Sequence, residues 1–230
     1  MRLTLALALL GLAAPLVAQQ PAKPAHPPAA AGHDHAMALP GGGVFPPGWS
    51  VRTDEGPATM VQFQPMEPGF HLTMGTAAIL YRNENTATPP AHIISTIHYF
   101  PKKGSGHHEG FGIFTGGQDL QGPNQKYTYF LVRGDGTFKI KRRDGEKTSD
   151  VVSKEWTPNA AIPKADPDKP STEYTVAVTL GKDSVTFNVN GKDVWSGAAK
   201  DIDTNGIAGI RVNHNLSVHV QSFAIHKTGG

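Results

Sequence analysis

Three groups of residues in this chain carry side chains suited to chemistry. His107-His108-Glu109, preceded by Gly104-Ser105-Gly106, is the densest set of metal-ligating types. Imidazole and carboxylate suit zinc and related divalent metals, and a glycine-rich loop lets such groups converge. Neighbours on an extended chain point to opposite sides, so His107 and Glu109 share a side. A third group, His98 or His92 on the same face of its strand, then has to complete a site. His107, Glu109 and His98 are therefore the candidate catalytic residues of a metal-assisted or acid–base centre; the plain alternative is a solvated polar loop. Asp201-Ile202-Asp203-Thr204-Asn205-Gly206 matches the first half of a calcium loop, in which oxygens at alternate positions converge on the ion. Asp201, Asp203 and Asn205 are the candidate metal ligands. Val212 stands where the closing bidentate acid belongs, so a turn into the last strands competes with this reading. No cofactor is firmly implied; calcium or a divalent transition metal are the ions these groups would take.

The third group is a row of Tyr127, Tyr129, Lys141 and Arg143, and it depends on a hairpin. Tyr127 to Gly145 reads as two strands around Gly134-Asp135-Gly136, since glycine supplies the positive φ of a tight turn. With Arg133 opposite Thr137, Phe130 faces Ile140 and Val132 faces Phe138 on an apolar side. Tyr129 then meets Lys141 and Tyr127 meets Arg143 on the other side, a candidate ligand-binding platform where rings stack on sugar faces and guanidinium forks hold hydroxyls or carboxylates. Cross-strand Tyr–Lys pairing for stability alone accounts for the same pattern. Trp156 and Trp195 are ambiguous in the same way, as groove lining or as core.

Similar alternation runs along the chain after residue 43. Trp49-Ser50-Val51-Arg52 reads as a first edge strand, and Phe70, Leu72 and Met74 fall at strand spacing before Ile79-Leu80-Tyr81. His92 to Phe100 is a strand of β-branched and aromatic residues, and Gly110 to Thr115 is a short apolar one closed by Gly116-Gly117. Trp156 to Ser171 is a polar, proline-rich surface loop. Tyr174 to Leu180 and Val185 to Val189 form a second hairpin around Gly181-Lys182-Asp183, and Asn190-Gly191 fits a type I′ turn into Lys192-Asp193-Val194-Trp195. Ile207 to His226 makes two further strands around His214-Asn215. No stretch after residue 43 keeps helical apolar spacing over more than two turns, so the fold class is an all-β sandwich or barrel.

The N-terminus differs. Met1-Arg2, the apolar run Leu3 to Val17 and the small residue Ala18 form a secretory signal peptide over 1–18, too short for a membrane span. Residues 19–43, rich in Ala, Pro, Gly and His, form a disordered linker with almost nothing to bury; its His26, His33, Asp34 and His35 are weak metal scavengers at most. The β-sandwich domain then spans 44–230. The product is expected outside the bacterial cytoplasm, periplasmic or extracellular, with no later transmembrane segment. With no cysteine there is no disulfide framework, thiol nucleophile or lipid-bearing cysteine. Lys and Arg total 21 against 19 Asp and Glu, which argues against nucleic acid as the partner.

Four segments together carry a resemblance: Gly112-Ile113-Phe114-Thr115-Gly116-Gly117-Gln118-Asp119-Leu120, the Tyr127 hairpin, Val189-Asn190-Gly191 and the closing Gly206-Ile207-Ala208-Gly209-Ile210-Arg211-Val212-Asn213. Residues 44–227 resemble the concanavalin A-like lectin/glucanase jelly roll, and within it the secreted bacterial domains related to 3-keto-disaccharide hydrolases. The resemblance implies a two-sheet antiparallel sandwich acting on or binding a carbohydrate or glycoconjugate. Two departures stand against catalysis. The E-x-D-x-x-E strand of the glucanases, which sets its two carboxylates about 5–5.5 Å apart, is absent, and Tyr127 to Arg133 replaces the acidic strand usual in the keto-sugar enzymes. Glycan binding without catalysis leads, a metal-assisted glycoside-processing enzyme is the alternative, and a structural envelope module is the third reading.

Overall fold

The computed structural model describes residues 39–104 and 108–227. The signal peptide over 1–18, the linker up to residue 38 and His107 lie outside the described residues. In chain order the described strands are β1 (Ser50–Thr53), β2 (Val61–Pro65), β3 (Phe70–Met74), β4 (Ala78–Ala87), β5 (Ala91–Tyr99), β6 (Gly110–Gln118), β7 (Lys126–Arg133) and β8 (Thr137–Asp144). They continue with β9 (Lys147–Asp150), β10 (Thr157–Pro158), β11 (Thr172–Leu180), β12 (Ser184–Val189), β13 (Lys192–Ala198), β14 (Gly206–Val212) and β15 (Ser217–Lys227).

These strands make two antiparallel sheets. One runs β1-β4-β14-β6-β7-β8-β10 with β9 also on β8, and the other runs β13-β12-β11-β5-β15-β3-β2. This is the two-sheet jelly-roll sandwich that the resemblance implies, within the sandwich-or-barrel class that the alternation predicts. The last two strands enter the interiors of the sheets: β14 lies between β4 and β6, and β15 between β5 and β3. Both therefore pair with partners laid down about 90 residues or more earlier.

The β7–β8 register is the one read from sequence. Tyr127 pairs with Arg143, Tyr129 with Lys141, Phe130 with Ile140 and Val132 with Phe138. Gly136, at φ +87°, turns the chain and donates its N–H to the Arg133 carbonyl at 3.1 Å. Phe130, Val132, Phe138 and Ile140 are buried in the core between the sheets, where the Phe130 and Phe187 rings stand 5.5 Å apart. The Asn190-Gly191 turn takes positive φ at both positions (51° and 75°), the pattern that a type I′ turn requires.

Three details go beyond the sequence reading. β6 does not stop at Gly116-Gly117 but continues through a bulge to Gln118. Gly116, at φ +67°, lies so close to the Asp203 carbonyl that a Cβ would sit 2.2 Å from its oxygen. β2 carries a short alternation, Val61 and Phe63 facing the core, that the sequence reading passed over, whereas the polar edge strand β9 has none to announce it. At the N-terminal end, Leu39 donates its N–H to the Thr59 carbonyl and Gly43 donates to Val61 at 2.7 Å, so backbone pairing reaches residues before Val44.

Candidate functional site

Strand alternation that sends one set of side chains into the sandwich puts the other set on the outer face of the eight-stranded sheet. On β7 these are Tyr127, Tyr129 and Leu131; on β8 they are Lys139, Lys141 and Arg143; on β14 the outward residue is Arg211. A second apolar cluster forms there, of Ile79, Tyr81, Phe114, Leu120, Tyr127, Tyr129 and Leu131, with Trp156 and Ile207 against it. The Phe114 and Tyr127 rings are 5.2 Å apart and those of Tyr127 and Tyr129 5.6 Å. Leu120 arrives on a loop held by Arg52, whose Nη1 donates to the carbonyls of Leu120 and Gly122.

Arg211 organises the charges of this face. Its Nη1 and Nη2 donate to the two carboxylate oxygens of Asp54 at 2.7 and 2.6 Å, a bidentate fork. Its Nε donates to Asn213 Oδ1, and the guanidinium lies 5.2 Å from the centre of the Tyr129 ring. Arg143 Nη2 meets the same Asp54 at 2.8 Å. Burial works against the Asp54 charge, but the guanidiniums of Arg211 and Arg143 outweigh it and hold the carboxyl below the usual range. Burial opposes the Arg211 charge too, and Asp54 more than restores it. Burial pushes the Tyr129 phenol up to about 12. Further along β8, Lys139 and Lys141 both approach Asp150, at 3.5 and 3.9 Å, while Arg133 lies over Trp156 at 4.6 Å.

The four residues of the expected platform do share this outer face, in the expected pairs. Their availability is different. Tyr127 has no exposed surface and Tyr129 only 4%, because neighbouring apolar side chains and the Arg211 guanidinium close over them. The rings are thus a foundation for the face and not an open surface for stacking. Lys141, with 27% of its side chain exposed, is the member that reaches solvent. Asp54 and Arg211 belong to the site and were not singled out from sequence. The signal for Arg211 was a lone cation inside the apolar closing strand; Asp54 gave none.

The catalytic candidates do not come together. Glu109 Oε2 accepts from Asn213 Nδ2 at 2.8 Å, and its other oxygen lies 4.0 Å from His214 Nε2. His98 stands on the outer face of the seven-stranded sheet, where its Nε2 donates to Gln221 Oε1 at 2.6 Å beside Glu173 at 3.6 Å. The two are thus carried by opposite sheets, and His107 lies outside the described residues. His92 is no substitute, since it shares a hydrogen bond with Thr179 and stacks on His226.

Asp203 is also used otherwise than as a calcium ligand. Its carboxylate accepts from Arg142 Nε and Nη2, both at 2.7 Å, and from Thr128 Oγ1 at 3.0 Å. Its carbonyl accepts from Thr115 Oγ1, and Lys126 Nζ lies 3.6 Å away. Burial opposes this charge, but the bonds from Arg142 and Thr128 prevail and lower the Asp203 pKa. Asp201 sits exposed in a short 3₁₀ turn, and the Asn205 carbonyl accepts from Gln118. The segment runs as a short 3₁₀ turn and an irregular stretch into β14. Among the described residues, no group of three or more His, Asp or Glu side chains is placed to hold a metal ion.

No family model and no curated protein matches the chain. Solved structures do. The carbohydrate-binding module CBM66 from Bacillus subtilis superposes with a TM-score of 0.50 at 13% identity, covering 78% of this chain and 95% of that one. A Bacillus subtilis protein of unknown function with a galectin-like fold gives 0.53 at 12% identity, covering 78% and 89%. The carbohydrate recognition domain of Emp46p gives 0.51 at 14% identity, covering 80% and 89%. At such identities the likeness concerns the fold alone, a two-sheet antiparallel jelly-roll sandwich.

Proposed function

We propose that this is an exported protein that binds a carbohydrate on the outer face of the eight-stranded sheet without cleaving it. The observation that carries this reading is the Arg143–Asp54–Arg211 chain, which fixes charged groups on β8, on β14 and at the residue after β1 above a packed aromatic layer. Such preorganised polar groups on rigid elements suit recognition of a polyhydroxylated ligand. Hydrolysis would need one carboxyl able to hold a proton near neutral pH and a second to act as base or nucleophile. Asp54 fails as the acid, because two guanidiniums keep it ionised.

The test is a glycan array probed with the protein and two variants. Trp156→Ala, on this face, should weaken the signal, and His92→Ala, on the outer face of the other sheet, should leave it unchanged. The opposite pattern, or no glycan bound at all, would overturn the assignment. Export is checked separately, by the mass of the protein recovered from the periplasm or medium: a chain lacking residues 1–18 is expected.

A further inference from the structure

We infer that the glycan recognised here is anionic, a chain whose carboxylate or sulfate groups seat along β8 between Lys141 and Arg143. This rests on the carbohydrate reading above and adds the charge of the ligand. Around Lys141, four cations share two carboxylates: Arg143 and Arg211 share Asp54, while Lys139 and Lys141 share Asp150. The pairing is uneven. Asp54 is gripped at 2.6 to 2.8 Å, whereas Asp150 lies 3.5 Å from one ammonium and 3.9 Å from the other, the longer distance belonging to Lys141.

Two positive charges on this face thus have no carboxylate of their own. Arg52 adds a cation on β1 whose Nη1 donates to main-chain carbonyls. Arg133, nearby, does not count toward the excess, since Asp135 pairs with it at 2.9 Å.

A second observation points to the same place. Arg143 Nε is buried and has no hydrogen-bond partner, although both terminal nitrogens of that guanidinium are engaged, with Asp54 and with the Glu146 carbonyl. The guanidinium is thus a buried charge incompletely neutralised by its neighbours, and a negative charge at the surface nearby would offset it. Lys141 is strained in the same sense. Burial lowers its pKa, and the like charges of Lys139, Arg211 and Arg143 add to that effect against the pull of Asp150. Asp54 cannot supply the missing charge, being saturated by its two arginines, and Asp150 is shared. An anionic group placed beside Lys141 would offset the crowded positive charge of Lys141 and Arg143, and 27% of the Lys141 side chain remains open to receive it.

The experiment compares three ligands of similar length by calorimetry at low salt: a tetramer of galacturonic acid, its fully methyl-esterified neutral form, and a sulfated galactan tetramer. The expected result is binding to at least one charged tetramer and a loss of about fivefold or more on methyl esterification. Lys141→Gln should weaken the charged ligand about fivefold with an unchanged melting midpoint, and salt above the screening range should do the same in the unmodified protein. Preference for the carboxylated over the sulfated tetramer, or the reverse, identifies the anion and supports the inference either way. Equal binding of the acid and its methyl ester would overturn it while leaving carbohydrate binding intact. Binding on the glycan array confined to neutral sugars would do the same. An array without any bound glycan would remove the reading beneath it.

Discussion

His219 stands directly opposite His98 in the β15–β5 pair, their ring centroids 5.7 Å apart, and directly opposite His71 in the β15–β3 pair. The three histidines thus form one row across neighbouring strands on the outer face of the seven-stranded sheet. Glu173 continues the row beyond His98, and Gln64 lies beyond His71. Burial lowers the pKa of His71 and His219, each helped by its histidine neighbour, and backbone carbonyls at Pro68 and Phe70 only partly restore His219.

The row makes stability depend on pH with a definite sign. A histidine whose folded pKa lies below its unfolded value binds its proton more readily in the unfolded chain. Its contribution is complete above the unfolded value of about 6.5 and is lost as pH falls through the lowered folded value. The melting midpoint should therefore drop between about pH 7 and 5, and His219→Gln should flatten that drop. Glu173, near His98 alone, does not face the two buried rings closely enough to reverse the sign. A profile flat over this range in the unmodified protein would contradict it.

Phe138→Ala should cost about 3–5 kcal/mol in chemical denaturation, the lost burial plus the cavity left behind. Phe138 is 3% exposed and its ring faces Phe187 across the sandwich at 6.3 Å. A loss below about 1 kcal/mol would mean that the core collapses onto the gap.

Asp203→Ala should destabilise by about 1–3 kcal/mol, because Arg142 and Thr128 lose their shared acceptor and the Arg142 guanidinium is partly open to water. The contribution is present above the unfolded carboxylate pKa of about 3.9 and fades as pH falls through the lower folded value. Calcium should leave the melting midpoint unchanged; a rise with calcium would show that the 201–206 turn binds the ion after all.

A chain beginning at Leu39 should melt where one beginning at residue 19 does, and limited proteolysis of the longer chain should cut before Leu39. One beginning at Val44 should melt a few degrees lower, having lost the backbone bonds to Thr59 and Val61 on the flank of β2. Equal midpoints would mean that these bonds contribute nothing net.

The Tyr127 hairpin was legible because everything that sets its register is local: a glycine turn and an alternation that only one pairing satisfies. The Asn190-Gly191 turn and the apolar strands β5, β11 and β12 were legible for the same reason. The site was legible only in part. Sequence put Tyr127, Tyr129, Lys141 and Arg143 on one face, but their cover comes from afar. Arg211 and Asp54 are 157 positions apart, as are Arg142 and Asp203 by 61, and no local pattern encodes such partners. The calcium-like spacing of Asp201, Asp203 and Asn205 left two readings open, because spacing does not reveal that Arg142 already holds the middle acid. Strand β9 escaped notice because a polar edge strand buries little on either face, and β2 because its two core residues, Val61 and Phe63, are too short a pattern between Gln and Pro to stand out.

The placement of β14 and β15 inside their sheets also sets an order of events during synthesis. Until the segment after residue 205 is available, β4 and β6 have no strand between them and β5 and β3 none between theirs, so each sheet stands as two separate halves. Cooperative closure then has to wait for the end of the chain, and contacts of such long sequence separation form slowly. A nascent polypeptide of this topology can complete neither sheet until its last two strands have been made.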